Sequence, residues 1–377
     1  MRSILNSIAD YIRECDKWLF LFCIAAGGYG TVAVLTATRH IGSDRRFIVQ
    51  AITVILGTAV AIFISRFDYN IYKKMWPIIM GVCLALVLLT FVIGFGPAGT
   101  DDKAWLMLPG GLTFQPSELL KIAFVITFAM HLEYLGEDIN NLKHLIPLLA
   151  HGGAPVLLIH FQGDDGTAII FGVIMIAMIF MAGLKMRYFA IFLAVVVVAA
   201  PLIYFLVLNP DQQARIQTML DLESDLQGTG WQQWRARIAL ANGGVWGQGL
   251  LKGELTQTGA VPEGHNDLIF VSIGEELGMV GCIAVLVILA AICLRILRIG
   301  DIAREKYGKL ICVGIFAMLV SQIVVNLGMC LSITPVIGVT LPFFSAGGTS
   351  LLCLFCSIGV VMSVYMHRNA RLMRIHE

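Results

Sequence analysis

The chain has 377 residues, of which 58% are hydrophobic and 14% are charged, and its mean hydropathy is +0.83. Soluble domains have about 25% charged residues, so this composition excludes a soluble protein and predicts an all-α polytopic membrane protein. The net charge of +1 gives no reason to expect a nucleic-acid partner.

The chain begins with an amphipathic stretch at 1–17, whose apolar residues recur at helical spacing. This pattern predicts an interfacial helix that lies on the membrane. The apolar run after it is long enough for a complete span. We therefore interpret it as a span rather than as the core of a removable signal.

Ten apolar runs have the length of about 20 residues that a helix needs to cross the hydrocarbon layer. A large loop at 209–265 separates the seventh from the eighth, and its periodic apolar residues predict short amphipathic helices on the membrane surface. The whole chain, 1–377, is predicted to form a single transmembrane domain. The predicted spans lie at 18–38, 47–65, 75–96, 115–132, 144–161, 165–183, 187–208, 266–294, 309–332 and 345–366.

Lys and Arg predict the orientation, because short cytoplasmic loops carry an excess of both residues. They are more numerous on the side of the two termini than on the opposite side, where the long loop contributes residues that this rule discounts. Both termini are therefore predicted to be cytoplasmic and the large loop to be extracytoplasmic. Arg39, Arg45 and Arg46 run against the trend, which is consistent with an anionic ligand on the outer side.

The even-numbered spans all enter from the outer side, and each begins with polar residues. Any one of these starts is also typical of ordinary helix capping. Capping alone does not explain all of them, because carboxylates at the edge of a membrane are costly. The residues at these starts are Gln115, Pro116, Ser117 and Glu118 for the fourth span, with Lys121 one turn further on, Asp164, Asp165, Gly166 and Thr167 for the sixth, His265, Asn266 and Asp267 for the eighth, with Glu263 just before them, and Ser345, Gly347, Gly348 and Ser350 for the tenth.

The residues at these helix starts suggest two kinds of chemistry on the outer side. Helix N-termini and a glycine-rich turn suit an anion such as a lipid phosphate or pyrophosphate. Positive charge could be added by Arg45, Arg46, Arg235, Arg237 and Lys252. A carboxylate at the edge of the cavity could act as a general base. Glu118 and Lys121 lie one turn apart in an apolar run, which predicts a salt bridge inside the bundle.

Other polar residues are predicted to be structural or remain ambiguous. Glu275 and Glu276 are adjacent on the eighth span, so they point about 100° apart and at most one can face the site. We predict structural or supporting roles for them. Trp105, in a short outer loop, is either an interface anchor or a substrate contact.

Several stretches of the chain form a recognisable set. They are Trp105 followed by FQPSELLK at 114–121, QGDDGTA at 162–168, ALANGGVWGQG at 239–249, VPEGHNDLIFVSIGEELG at 261–278, and the run 326–352. Together they resemble the SEDS family of bacteria, the RodA, FtsW and SpoVE group, over nearly the whole chain. The resemblance implies a peptidoglycan glycosyltransferase that polymerises lipid II at the outer face of the plasma (inner) membrane. The short tails fit the RodA branch, which serves cell elongation and shape, better than the division branch.

The resemblance also implies roles for single residues. Asp267 matches the family's catalytic acid, which would accept the proton of the acceptor sugar's 4-hydroxyl while undecaprenyl pyrophosphate leaves the donor. Glu118 and Lys121 match a charged pair, and Asp164 matches an Asp before the sixth span. Because Asp165 follows directly, the sequence leaves open which of these two is functional. The remaining candidates for substrate binding or support are Gln115, Trp105, Glu263, His265, Arg235, Arg237, Lys252, Ser345, Gly347 and Gly348.

This chain departs from the family pattern at several positions, with Ala104 in place of an Arg, Asn266 in place of a Thr and Ala346 in place of an aromatic residue. The implied protein partner is a class B penicillin-binding protein, a transpeptidase that crosslinks the strands, and membrane lipids surround the spans. No organic cofactor is expected. A divalent cation, Mg²⁺ or Mn²⁺, could help to stabilise the leaving group, but the sequence does not predict its ligands.

Two alternative functions remain open from the sequence. A flippase for a lipid-linked cell-wall precursor would need polar residues along the whole transmembrane path, and it would translocate its substrate without making polymer. A non-enzymatic scaffold for a transpeptidase would have little use for a buried Glu118–Lys121 pair beside Asp267.

Overall fold

The structure is a computed structural model, and it describes residues 11, 13–96, 102–109, 111–206, 208–221 and 230–368. Most of the interfacial helix predicted at 1–17 therefore lies outside the described residues. Within them the chain forms thirteen α-helices. These are α1 Lys17–Thr38, α2 Arg45–Ser65, α3 Tyr72–Ile93, α4 Pro116–Leu135, α5 Leu142–Phe161, α6 Asp165–Ala182, α7 Met186–Leu206, α8 Pro210–Leu220, α9 Trp231–Gly243, α10 Glu254–Gln257, α11 Ile269–Asp301, α12 Lys306–Cys330 and α13 Gly348–Met366.

Ten of these helices, α1–α7 and α11–α13, are long and apolar enough to cross a membrane, so the ten predicted spans are confirmed. The eighth span was predicted to end at 294 but continues to Asp301. The prediction ended it early because Arg295 interrupts the apolar run. The helix continues because Arg295 forms a 2.6 Å ion pair with Asp16, whose carboxylate is buried.

The bundle has an interior and a lipid-facing edge. α4, α12 and α13 bury most of their residues, whereas α7 buries none and lies at the periphery. Small residues allow close packing of α2 on α13, where a Cβ added at Gly359 would lie 2.9 Å from the Cα of Ala61. Such small-residue contacts are the usual means by which helices approach each other in membranes.

A short hairpin between α3 and α4 adds two strands to the predicted all-α fold. Strand β1, Leu106–Leu108, pairs antiparallel with β2, Leu112–Phe114. The backbone of Lys103, just before β1, donates to the carbonyl of Gln162 at 3.1 Å. The hairpin is thereby held against the turn between α5 and α6, which leads to Asp164.

The segment between α7 and α11 contains the short helices α8, α9 and α10, as the sequence predicts for the large loop. We call the side of the bundle that carries this segment the loop side. α9 packs closely on α11, because a Cβ added at Gly243 would lie only 1.9 Å from the carbonyl oxygen of Gly274. The predicted extracytoplasmic position of the loop stays a prediction.

Helix α11 is broken near its loop-side end at Gly278, whose φ is 68° and ψ is −164°. The backbone groups freed by the break are satisfied by the loop motif at 244–249. The carbonyls of residues 275 and 276, before the break, accept hydrogen bonds from the N–H groups of residues 248 and 249 at 3.0 and 2.9 Å. The N–H groups of residues 279 and 280, after the break, donate to the carbonyls of residues 244 and 245 at 3.0 and 3.2 Å. Irregular backbone at membrane depth is tolerated only with such partners.

The acidic pair beside the break also holds the loop. The buried carboxylate of Glu275 accepts hydrogen bonds from the N–H groups of Leu255 and Thr256 at 2.9 and 2.7 Å. Glu276 accepts from the amide of Gln257 at 2.7 Å. Both side chains therefore bind α10 rather than substrate, in agreement with the structural roles predicted for them.

Residues 331–347, which we call the return segment, connect α12 to α13 without regular helix. The segment crosses the loop side of the bundle and packs against α1, α2 and α6. At Gly30 of α1, an added Cβ would lie 2.4 Å from the carbonyl oxygen of Phe343 and 2.7 Å from the Cα of Phe344. A glycine is required there because backbone meets backbone.

A pair of alanine substitutions in α1 tests this contact. Gly30→Ala should lower the free energy of unfolding by about 1–3 kcal/mol, because the added methyl group would displace the return segment. Gly28→Ala is the matched control, since nothing lies within 4 Å of a Cβ at that exposed position of the same helix. Thermal unfolding of detergent-purified protein measures both. Equal melting temperatures for the two variants would contradict the packing.

Candidate active site

A tight turn at 263–268 places Asp267 at the entry of α11. The turn begins at Glu263, whose φ of 49° is unusual for a residue other than glycine. The carbonyl of Glu263 accepts from the N–H groups of Asn266 and Leu268 at 2.9 and 3.2 Å. Asp267 is half-buried, two residues before α11 begins.

Asn326 of α12 fixes the backbone of this turn. Its side-chain amide donates to the carbonyl of Asp267 at 2.7 Å and to that of Val339, in the return segment, at 2.8 Å. Asn326 is fully buried. Asn326 begins the matching run 326–352 but was not among the predicted site residues. The sequence did contain a signal for its role, because an Asn inside an apolar run has to find polar partners.

The predicted residues Ser345, Gly347 and Gly348 serve mainly to hold the return segment against the turn. The hydroxyl of Ser345 donates to the carbonyl of Asn266 at 2.8 Å and accepts from the N–H of Leu341 at 2.7 Å. A Cβ added at Gly348 would lie 2.9 Å from a methyl group of Val49 on α2. Gly347 precedes it, at the start of α13. These contacts build the wall beside Asp267.

An acidic cluster lies at the loop-side ends of α4 and α6. Asp164 caps α6, accepting from the N–H of Thr167 at 2.9 Å, and its other oxygen accepts from the amide of Gln115 at 2.6 Å. The predicted Glu118–Lys121 salt bridge is confirmed, with 2.8 Å between Nζ and Oε1. Lys121 is fully buried, and the ion pair with this carboxylate leaves no isolated charge in the interior.

The adjacent residue Asp165 points into a different environment. Its carboxylate contacts Nδ1 of His160 at 2.6 Å and accepts from the amide of Gln212, on α8, at 2.6 Å. Asp165 therefore links α5 to the large loop, whereas Asp164 lies close enough to Glu118, Lys121 and Asp267 to interact with their charges. The geometry places Asp164, not Asp165, on the side of the site.

Burial and neighbouring charges shift the pKa values of these groups. Burial, then the charges of Glu263 and Asp164, raise the pKa of Asp267 to about 7. Burial also raises the pKa of Asp164, against the hydrogen bonds from Thr167 and the charge of Lys121. A carboxyl group with a pKa near neutrality is suited to general base catalysis.

The remaining candidates lie around this centre at different places. Trp105 is half-buried and pairs through its backbone with Phe95, next to the hairpin. Arg235 stacks on Trp231 at 4.3 Å within α9. Arg237 and Lys252 are exposed on the large loop. These three cations occupy the loop itself, and their known contacts are with the loop rather than with the turn that carries Asp267.

The candidate metal ligands are fewer than a self-contained site requires. Among the described residues, no group of three or more His, Cys, Asp or Glu side chains could hold an ion. Asp267 and Asp164 are close enough to influence each other's charge. Mg²⁺ is commonly bound by one or two carboxylates together with substrate phosphates, so Asp267 and Asp164 are the residues that would hold an ion arriving with a substrate.

Comparison with known proteins finds relatives along nearly the whole chain. The sequence model for the FtsW, RodA and SpoVE group, described as "Cell cycle protein", matches residues 17–370. A probable peptidoglycan glycosyltransferase FtsW of Geobacter metallireducens is 32% identical over 369 residues, covering 94% of this chain and 95% of that protein. The peptidoglycan glycosyltransferase MrdB of Escherichia coli K12 is 32% identical over 359 residues, covering 94% of each.

Solved structures share the fold. One chain, from work on the structural coordination of polymerization and crosslinking by a peptidoglycan synthase complex, has a TM-score of 0.81 and 25% identity, with 94% of this chain and 98% of that chain covered. The rod shape determining protein RodA of Thermus thermophilus has a TM-score of 0.69 and 24% identity with the same coverage. With the sequence match over 17–370 and relatives of 32% identity along nearly its full length, the chain belongs to the FtsW, RodA and SpoVE family of cell cycle proteins.

Proposed function

We propose that the protein is a peptidoglycan glycosyltransferase that polymerises lipid II into glycan strands for cell elongation and shape. The observation that carries this proposal is the half-buried Asp267, whose pKa is raised to about 7 by burial and by the charges of Glu263 and Asp164. The names of the FtsW and MrdB relatives support the same activity. The RodA-type role is the finer part of the proposal.

In this mechanism Asp267 acts as the general base. Its carboxylate accepts the proton of the acceptor sugar's 4-hydroxyl, and the oxygen forms a bond to the anomeric carbon of the donor. The bond from that carbon to the diphosphate oxygen breaks, and the electron pair leaves with the lipid diphosphate. Asn326 holds the backbone of the base through its 2.7 Å hydrogen bond, so the carboxylate is positioned before substrate binds.

The alternative functions fit the geometry less well. A flippase needs a polar path through the whole membrane, whereas the groups gathered around Asp267 lie at the loop-side ends of α4, α6 and α11. A scaffold has no need of an acid whose pKa is raised to about 7. Acids with strongly shifted pKa values are typical of functional sites.

The proposal includes location and partners. The loop side faces outward from the bacterial plasma membrane, both termini are cytoplasmic, and lipid II reaches the site from the outer leaflet. A class B penicillin-binding protein crosslinks the strands, as suggested by the similar chain in a synthase complex that couples polymerization to crosslinking. A divalent cation would bind with the substrate diphosphate. Polymer assays with and without the transpeptidase, and with EDTA followed by Mg²⁺, test both requirements.

The central test replaces the base with its isosteric amide. Asp267→Asn should reduce glycan polymer formed from labelled lipid II by at least about 100-fold, because the amide cannot accept the proton. Asp301→Asn, at the exposed far end of the same helix, is the matched control and should polymerise normally. Both variants should unfold at the wild-type temperature or above. Normal polymer synthesis by purified Asp267→Asn protein would exclude the proposed role.

The pH dependence follows from the raised pKa of Asp267. Only the ionised carboxylate can act as base, so kcat/KM should increase with pH through about 7 and become constant above it. An ordinary Asp with a pKa near 3.9 would give constant activity over the same range. Initial rates between pH 5.5 and 8.5 measure this. A profile that is flat, or that falls with rising pH in this range, contradicts the assignment.

The two adjacent acids should behave differently. Asp164→Asn should lower activity by about tenfold or more while preserving the fold, because Asn still caps a helix but carries no charge beside Asp267. Asp165→Asn should retain activity within about twofold, because its partners are His160 and Gln212, away from the site. The polymer assay compares both variants directly. A larger loss in Asp165→Asn would reverse the assignment of the pair.

A further inference from the structure

The turn at 263–268 has a second side that the mechanism above does not use. His265 has only 8% of its surface exposed, and its Nε2 has no hydrogen-bond partner among the described residues. Its carbonyl is held by the N–H of Ala346 at 2.8 Å, so the ring cannot easily move to find a partner. Buried polar atoms are nearly always satisfied, which indicates that a ligand completes this position.

Positive charge surrounds the unpartnered nitrogen. Burial, then the charge of Arg46, lowers the pKa of His265 to about 4, with His40 acting in the same direction and Glu263 against it. The imidazole is therefore neutral at pH 7, and as its Nε2–H tautomer it can donate a hydrogen bond without carrying charge. A site with these neighbours favours an anion.

The fold explains why these residues meet. Gln50 of α2 binds the return segment, donating to the carbonyl of Ser345 at 3.2 Å. Arg46 lies one turn before Gln50 on the same face of α2, so it extends toward the turn that carries His265. His40, just after α1, packs on Gly259, where an added Cβ would lie 2.7 Å from its ring. α2, the end of α1 and the turn thus bring Arg46, His40 and His265 near one another.

Among the described residues, Arg46 forms no ion pair that would explain its position. Its side chain is exposed, and no carboxylate within the described ranges lies within ion-pair distance of it. It also belongs to the Arg residues that oppose the charge bias of the loops. An unpaired guanidinium beside a buried N–H donor is the arrangement that recognises phosphate oxygens.

We propose that Arg46, His40 and His265 form the subsite for the diphosphate of the donor substrate. This assignment rests on the proposed function and refines it. Asp267 lies within range of the charge of Asp164, and His265 lies within range of the charges of Arg46 and His40. The assigned subsite therefore puts the leaving group on the side of α2, and the base on the side of Asp164. A displacement at the anomeric carbon requires this separation, because the nucleophile enters opposite the leaving group.

The charge balance of the step is consistent with the subsite. The proton of the acceptor hydroxyl moves to Asp267, and the bonding pair of the broken C–O bond moves to the diphosphate. Negative charge therefore grows beside Arg46 and the His265 N–H as the bond breaks. Fixed donors that face a developing charge stabilise the transition state more than the ground state.

The test measures binding separately from turnover. Asp267→Asn protein serves as the background, so substrate binding is observed without polymer synthesis. The probes are inorganic pyrophosphate, farnesyl diphosphate and farnesyl monophosphate, each competing with labelled lipid II. Pyrophosphate tests the anion alone, and the two farnesyl compounds separate the diphosphate from the lipid chain. If wild-type protein makes no polymer while these probes still compete, the proposed function fails but the anion site stands.

Side-chain variants then identify the residues. Arg46→Gln and His265→Phe should each weaken competition by both diphosphates by about tenfold or more, because each removes a charge-assisted contact. His265→Gln should retain most of the affinity, since its amide can donate from a similar position. Lys103→Gln, which removes a charge from an exposed residue next to the hairpin, is the control and should change little. Thermal unfolding checks that each variant is folded.

The results distinguish the subsite from a structural role. Loss in His265→Phe with recovery in His265→Gln, together with loss in Arg46→Gln, supports the assignment. In active protein, Arg46→Gln should lower kcat as well as raise KM, because the contact strengthens as charge develops. Unchanged diphosphate affinity in both Arg46→Gln and His265→Phe would overturn it. Equal loss in Lys103→Gln would also overturn it, by showing a nonspecific charge effect.

Discussion

The site depends on one polar side chain inside an apolar bundle, Asn326, whose amide donates two hydrogen bonds. One bond holds the carbonyl of Asp267 and the other holds Val339. The turn before α11 and the return segment are thereby joined through one buried atom, Nδ2 of Asn326. Because an unsatisfied carbonyl at this depth would be costly, the contact is strongly favoured once the bundle has formed. The positions of the base and of the wall beside it follow from it.

The same low-polarity environment tunes the acids that it surrounds. Asp267 lies beside two other carboxylates and is partly removed from water, so its proton is held more tightly than in an ordinary Asp. Lys121 is buried completely, but Glu118 neutralises it at 2.8 Å. Burial therefore gives Asp267 a pKa suited to catalysis. The Glu118–Lys121 pair makes the adjoining interior polar without leaving an isolated ion there.

The large loop is part of the transmembrane structure rather than an appendage to it. Its 244–249 motif replaces the helical hydrogen bonds lost at Gly278, and Glu275 holds α10 from inside α11. Asp165 attaches α8 to the end of α6 through Gln212. The loop thus contacts both helices that directly follow the acids of the site, α6 after Asp164 and α11 after Asp267. A partner that moves the loop would have a direct mechanical connection to Asp267 and Asp164.

The amino-acid sequence by itself determined the ten spans, because hydrocarbon thickness and the cost of bare backbone leave few choices for long apolar runs. It also determined the Glu118–Lys121 pair, since residues three apart on one helix must be neighbours. Only the tertiary structure separated Asp164 from Asp165, because the partners that distinguish them come from other helices. The tertiary structure also decided the hydrogen bonds of Asn326 and the grouping of Arg46 and His40 around His265. Both features join residues that are far apart in the chain, and no local sequence pattern encodes such contacts.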